Sequence, residues 1–307
     1  MPSFTFKNHG YRCKGSYSLG TACGHCAGCD ADPYRPGGDQ NPLNMAKQRA
    51  VDDSVGEESM SLSNQARLIR QDVVKMAARA GVSHVGSALS IVDILTSLYF
   101  DVMDRDRDQF VLSKAHASAA LYATLAARGI LPRESLSSYC MHGGRLPGHL
   151  GKSIPGVPHV AGSLGHGLSF AVGMAVVQFG RVFVLCGDGE MNEGSNYEAL
   201  MFAAHRKLSN LTLIVDTNQI QSFGRTEDVL APRNIRERLE GFGWLTVEID
   251  GHDHEQISTL KERNSAPLAV IAHTVKGKGV SFMENNLEWH YKSPLPAELE
   301  QALKELA

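Results

Sequence analysis

From residue 61 onward the chain alternates between two hydrophobic rhythms. Leu62, Ala66, Ile69, Val73, Ala77 and Ala80 recur at helical spacing and Gly81 ends the run, predicting a first helix. Residues 88–100 read as a second, more buried helix, 110–112 as a short strand and 117–128 as a third helix. The segment 142–166 is rich in Gly, Pro and His and reads as a loop, followed by a small-residue helix over 167–178. The rhythm then becomes regular: strand 182–186, helix 194–207, strand 211–216, helix 233–241, strand 244–249, helix 254–264 and strand 268–273. Short apolar strands alternating with amphipathic helices predict an α/β domain with a parallel β-sheet and helices on both faces. Ligands of such sheets bind beyond the carboxyl ends of the strands. Asp188, Asn218, the Asp250-Gly251-His252 run and His273-Thr274 all fall at such ends.

Residues 1–58 look different. The division expected is a Cys-rich N-terminal extension over 1–58 and a main domain over 59–307. Four of the six cysteines, Cys13, Cys23, Cys26 and Cys29, lie in the first thirty positions. Cys23-x-x-Cys26-x-x-Cys29 with Cys13 could hold one tetrahedral Zn2+ as a structural knot. An iron–sulfur cluster and a metal-free, Gly- and Cys-rich leader are the competing readings. Overall composition narrows the rest. At 307 residues, 43% apolar, 21% charged and a net charge of −3, the chain carries no electrostatic footprint for nucleic acid or an anionic membrane. No stretch reaches the roughly 18 apolar residues of a membrane span. Without a secretory signal at Met1–Lys7, the cysteines point to reduced thiols and a cytoplasmic protein.

The chemistry concentrates in Gly187-Asp188-Gly189 and Asn218, each following an apolar strand. Hard cations such as Mg2+ and Ca2+ take oxygen ligands, which Asp188 and Asn218 offer, and the Ile220 carbonyl is a third candidate. Gly187 and Gly189 allow backbone to approach phosphate oxygens closely. Glu190 reads as a solvated acid at a helix start. His252 and His254 read as structural groups at a turn, and Met191 and Phe202 as core or interface packing.

The same residues resemble the thiamine-diphosphate motif of transketolases. The resemblance extends, in order, through Ser83-His84-Val85-Gly86-Ser87, the Arg107–His116 segment, Pro147-Gly148-His149, Gly162-Ser163-Leu164-Gly165-His166-Gly167, Thr274–Gly279 and Trp289-His290. It implies the thiamine-diphosphate-binding fold, specifically its diphosphate-holding (PP-type) domain. It further implies Asp188, Asn218 and Ile220 as ligands of Mg2+ or Ca2+, and His116, Gly189 and His290 as diphosphate contacts. Gly162 and Leu164 would sit near the aminopyrimidine. His84, His116 and His149 would line the catalytic channel and hydrogen-bond sugar hydroxyls. Glu193 and Glu198 would lie near a dimer interface. Val85, Ala115 and His166 stand where the family has Pro, Gly and more often Gln. The pyrimidine-binding and C-terminal domains are not found in this sequence. The expectation is therefore the N-terminal subunit of a two-subunit transketolase, an α2β2 assembly with a separate C-terminal subunit, acting on sugars or sugar phosphates. An α-like subunit of another thiamine-diphosphate enzyme (an E1-type dehydrogenase or a sugar synthase) and a non-catalytic regulatory subunit are the alternatives.

Overall fold

A computed structural model describes residues 60–178, 180–230 and 234–307. The cysteines Cys13, Cys23, Cys26 and Cys29, and with them the zinc expectation, lie outside the described residues. Helix α1, Leu62–Ala80, starts where Ser61 Oγ accepts the Asn64 N–H and stops at Gly81, whose φ of +63° suits glycine. Its apolar stripe, Ala66, Ile69, Val73 and Ala77, is buried.

The single helix expected over 88–100 is instead broken into α2 (Val85–Leu89), α3 (Val92–Ser97) and a π-helical turn over Leu98–Val102. The break falls at Ser90-Ile91. Ser90 Oγ bonds the Ser87 carbonyl at 3.0 Å and reaches the Asp216 carboxylate at 2.8 Å, while Ile91 has φ −105°. A hydroxyl bonding elsewhere competes with the helical ladder. Helix α4 is Ser118–Ala127.

Five strands follow the expected rhythm: β1 (Gln109–Leu112), β2 (Val182–Gly187), β3 (Leu211–Thr217), β4 (Leu245–Asp250) and β5 (Leu268–His273). All neighbours pair in parallel, in the order β1-β2-β3-β5-β4. Alternate side chains feed two cores. Phe183, Leu185, Ile214 and Val270 pack on the face carrying α1 to α4. Val182, Val184, Leu213, Val215 and Ile271 pack on the other, against α5 (Gly167–Val177) and α6 (Gly194–His205). Burial on both faces explains why β2, β3 and β5 read as mainly apolar runs.

Beyond β3 come α7 (Thr226–Val229), α8 (Ile235–Gly241), α9 (His254–Ser258) and α10 (Pro296–Glu305). Helix α9 is shorter than the 254–264 expected and gives way to a tighter turn over Thr259–Lys261. Ser258 Oγ and Thr259 Oγ1 bond back to the carbonyls of His254 and Gln256, at 2.8 and 2.6 Å. None of the described helices is long and apolar enough to cross a membrane.

Candidate cofactor site

Strands β2 and β3 are neighbours, with Gly187 opposite Asp216. That register brings Asp188 and Asn218, each just past its strand, to one edge of the sheet. The Asp188 carboxylate accepts from the N–H groups of Gly189 (2.7 Å) and Gln219 (2.8 Å) and from Thr226 Oγ1 (3.1 Å). Asn218 Oδ1 accepts one bond, from Ile220 N at 3.1 Å, and the Ile220 carbonyl accepts one, from Lys276 Nζ at 2.9 Å. A carboxylate has about four lone-pair sites and each of the other oxygens two, so all three groups retain acceptor capacity. One carboxylate and two neutral oxygens form a sparse donor set. It suits a hard cation that completes its shell with diphosphate and water. Among the described residues no cluster of three His, Cys, Asp or Glu forms a metal cage of its own.

Gln219, between these groups, holds φ +63°, and its N–H is spent on Asp188. Such a backbone costs about 1–3 kcal/mol and persists only where surrounding bonds enforce it. The Gly189 N–H is turned onto Asp188 rather than outward, and a Cβ there would meet Gln221 Cδ at 2.7 Å.

The cleft above is lined by Lys114, His116, Leu164, Asp188, Lys276 and His290, among others. His84 is the hub of the imidazoles: its ring centroid lies 4.8 Å from His290, 5.2 Å from His116 and 6.3 Å from His149. Burial, reinforced by His149, Lys276 and Lys114, lowers the His84 pKa to about 4. Burial and Lys276 lower His290 to about 3, and burial with Lys114 holds His116 well below the usual range. These three rings are therefore neutral near pH 7, each with one donor and one acceptor nitrogen. His84 Nδ1 is buried without a partner, an orphan that a ligand hydroxyl would satisfy. His149 is exposed at the channel rim. Ser118 Oγ, bonding the Gly148 carbonyl at 2.7 Å, and Tyr122 Oη, bonding that of His149 at 3.3 Å, hold its loop. Gly162 is exposed, with no atom within 4 Å of where a Cβ would stand.

Residues 59–306 match the model of the transketolase thiamine diphosphate binding domain. The chain belongs to the transketolase family. It is 39% identical over 264 residues to an apulose-4-phosphate transketolase subunit from Phocaeicola vulgatus, covering 80% of this chain and 94% of that protein. It is 37% identical over 254 residues to the 6-deoxy-6-sulfo-D-fructose transketolase subunit SqwG of a Clostridium species, covering 77% and 92%. The transketolase crystal structure from Campylobacter jejuni superposes with a TM-score of 0.75 at 30% identity. The match covers 80% of this chain but 42% of that one, so the chain spans about two fifths of a full transketolase polypeptide.

In this transketolase-family chain four residues at the site escaped the sequence reading. Lys114 and Lys276 are about 1% exposed, and both line the cleft. Burial and the nearby Lys114 lower the Lys276 pKa to about 8. Asp216 is fully buried and pairs with Lys114. Burial alone would raise its pKa, but Lys114, Thr274 and Ser90 bring it below the usual carboxylate range. Glu190 corrects an expectation outright: it is 2% exposed, not solvated. It accepts from Ser113 Oγ (2.5 Å) and from the N–H groups of Gly165 (2.9 Å) and Gly187 (3.1 Å), tying the ends of β1 and β2 to the 162–166 loop. Strand-end position flags Lys114 (after β1) and Lys276 (after β5), but nothing in composition separates Glu190 from a surface acid.

His252 and His254 lie away from the cleft. His252 Nε2 accepts from Val275 N at 2.8 Å, so Nδ1 carries the proton donated to Asp93 at 2.7 Å. His254 Nδ1 pairs with Ser97 Oγ at 2.7 Å. Met191 is core, whereas Phe202 is 45% exposed, and Glu193 and Glu198 are exposed.

Proposed function

We propose that the chain is the N-terminal subunit of a two-subunit transketolase. In this reading a Cys-rich extension over 1–58 precedes the cofactor-binding domain over 59–307. The subunit transfers a two-carbon ketol unit from a ketose to an aldose, sugars or sugar phosphates, in the cytoplasm. It does so with a separate C-terminal subunit that supplies the pyrimidine-binding and C-terminal domains, in an α2β2 assembly. Two relatives named as subunits, matched over more than nine tenths of their length, support a partner chain.

The observation that carries the reading is the meeting of Asp188, Asn218 and Ile220 with His116 and His290 along one cleft, with the His84 ring packed beside both imidazoles. Asp188, Asn218 and Ile220 would hold Mg2+ or Ca2+ through oxygen. Lys114, Lys276, His116 and His290 would meet the diphosphate. Gly189, whose missing Cβ lets Gln221 pack against it in the cleft wall, would lie beside that group, and Gly162 and Leu164 would flank the aminopyrimidine. When bound, thiamine diphosphate supplies the carbon centre that adds to the ketose and stabilises the resulting carbanion. The protein's own share is orientation and proton handling. Neutral His84 and His116 can each donate to one sugar oxygen and accept from another, and can hold a hydroxyl proton as the C–C bond breaks, with His149 meeting a further sugar hydroxyl.

The test is calorimetric titration of thiamine diphosphate with Mg2+ into the full-length chain, with its partner subunit, for wild type and Asp188→Ala. Wild type should bind and D188A should lose metal-dependent binding. Equal binding by the two would reject the site.

A further inference from the structure

We propose that Asp216 is a positioning residue that sets which way round the Asn218 carboxamide sits, and so whether the metal site is offered an oxygen or an amide hydrogen. The inference rests on the reading of Asp188, Asn218 and Ile220 as metal-binding groups. Asp216, next to last in β3, has no exposed surface, and its carboxylate gathers donors from four parts of the chain. Oδ2 accepts from Ser90 Oγ at 2.8 Å, from Asn218 Nδ2 at 2.9 Å and from Lys114 Nζ; Oδ1 accepts from Thr274 Oγ1. Its backbone carbonyl also receives the Asp188 N–H at 3.1 Å, so one residue touches two of the three proposed ligands.

An ionised carboxylate only accepts, so it admits the NH2 end of the amide and repels the oxygen end. Asn218 has one other side-chain bond, Oδ1 accepting from Ile220 N at 3.1 Å. A half-turn of the amide would set oxygen against carboxylate and NH2 against an N–H, losing both bonds at once. Asp216 therefore fixes the amide oxygen toward the Ile220 side, where a cation can use it. Ser90, Thr274 and Lys114, arriving from the α2–α3 junction and from beyond β5 and β1, hold the carboxylate itself still. Groups behind metal ligands commonly carry a ten- to hundredfold share of metal affinity by orienting those ligands.

Asp216→Asn is nearly isosteric but introduces an NH2 that can donate to Asn218 Oδ1 and turn that amide around. The experiment is calorimetric titration of Mg2+ into the full-length chain with its partner subunit at saturating thiamine diphosphate, with thermal unfolding recorded alongside. D216N should weaken Mg2+ binding about ten- to hundredfold. The double variant D216N/N218D should recover it, because a carboxylate at position 218 presents oxygen in either orientation and keeps a negative charge near Lys114. Unchanged Mg2+ affinity in D216N overturns the proposal. A loss that the double variant does not recover also overturns it, leaving Asp216 as support for Lys114 alone. Should D216N fail to fold, the double variant is compared with wild type directly: retained binding supports the proposal and lost binding overturns it. Failure of the wild type to bind Mg2+ with thiamine diphosphate would instead remove the underlying site reading.

Discussion

The backbone N–H of His84 donates to the carbonyl of His290 at 3.0 Å, and the two imidazoles lie 4.8 Å apart. His84 holds φ +76° at the start of α2, a conformation costly for a residue with a Cβ. The bond to His290 is one of the contacts that enforce it. It also packs two rings together where neither can readily take a proton.

A pH dependence follows from that packing. Burial first, then neighbouring cations, place His84 at about 4 and His290 at about 3 in the folded chain. An unfolded histidine titrates near 6.5. Between these values the unfolded chain binds protons that the folded chain refuses, so acid favours unfolding. The stabilising contribution is fully present above about pH 6.5 and is lost as pH falls from there toward 4 and 3. Urea unfolding of the cofactor-free chain at pH 7.5 and pH 5.5 should therefore show a larger fall in stability for wild type than for a His84→Gln/His290→Asn variant. Identical pH slopes would refute the assignment.

Glu190 gives a second prediction. Its carboxylate is the shared acceptor for Ser113 Oγ and for two backbone N–H groups, one from the 162–166 loop and one from the end of β2. Removing an acceptor so that buried donors are left unpaired costs about 1–3 kcal/mol for each such group. Glu190→Ala should lower the urea midpoint by the equivalent of about 3 kcal/mol or more, and Glu190→Gln, which keeps one acceptor oxygen, by less. Stability within experimental error of wild type in E190A would show that the three donors find other partners.

Much of the fold was legible because both faces of the sheet are buried. Strands such as Val182–Gly187 and Leu211–Thr217 are buried almost throughout and open with mainly apolar residues, and the helices between them are set off by polar turns. The breaks were not legible. Ser90 interrupts the 88–100 segment because of a carboxylate 126 positions away, and no local pattern encodes that. Helix α10 carried a local signal, Pro296 at its first turn and Glu298 accepting the Leu295 N–H at 2.7 Å, which the sequence reading passed over. At the site, the ordered motifs pointed to His116, Asp188, Asn218 and His290, which line one cleft, and to His84, whose ring packs beside His116 and His290. Lys114, Asp216, Glu190 and Lys276 were not found, because a buried charge is identified by its partner, and the partners come from other strands.

Gly165 gives a third prediction, on loop geometry. It sits at φ +83°, and a Cβ added there would stand 2.6 Å from the Glu193 Cβ and 2.8 Å from Ser195 Oγ. The loop is already fastened on both sides of the peptide, by Ser195 Oγ to the Gly165 carbonyl at 2.7 Å and by the Gly165 N–H to Glu190. Gly165→Ala must therefore strain the backbone or push Leu164 and Glu193 apart at the cleft. A loss of about 1–3 kcal/mol is expected. Affinity for thiamine diphosphate should fall as well, whereas Gly162→Ala, with open space around it, should leave stability unchanged. The comparison by urea unfolding and calorimetry fails if both alanines behave alike.

The network beneath the Thr274–Gly279 segment yields the last prediction. Asp93 takes a bidentate pair from Arg70, at 3.0 and 2.5 Å, and the His252 Nδ1–H at 2.7 Å. Arg70 Nε in turn bonds the Lys278 carbonyl at 3.1 Å, and His252 Nε2 receives Val275 N at 2.8 Å. Residues on either side of Lys276 are thus tied to one buried carboxylate, whose charge Arg70 and His252 hold well below the usual carboxylate range against the opposing effect of burial. Breaking such a pair by removing one partner leaves a buried charge uncompensated and costs about 3–5 kcal/mol. Asp93→Ala should lose stability on that scale. Because the segment carrying Lys276 loses its anchors, the folded fraction should also bind thiamine diphosphate more weakly. The exposed pair Glu300–Lys304 is the contrast: solvent screens it, so Glu300→Ala should leave both stability and cofactor binding at the wild-type level. If D93A unfolds more readily yet binds the cofactor as tightly as wild type, Lys276 is held by its own packing and the network serves the core alone.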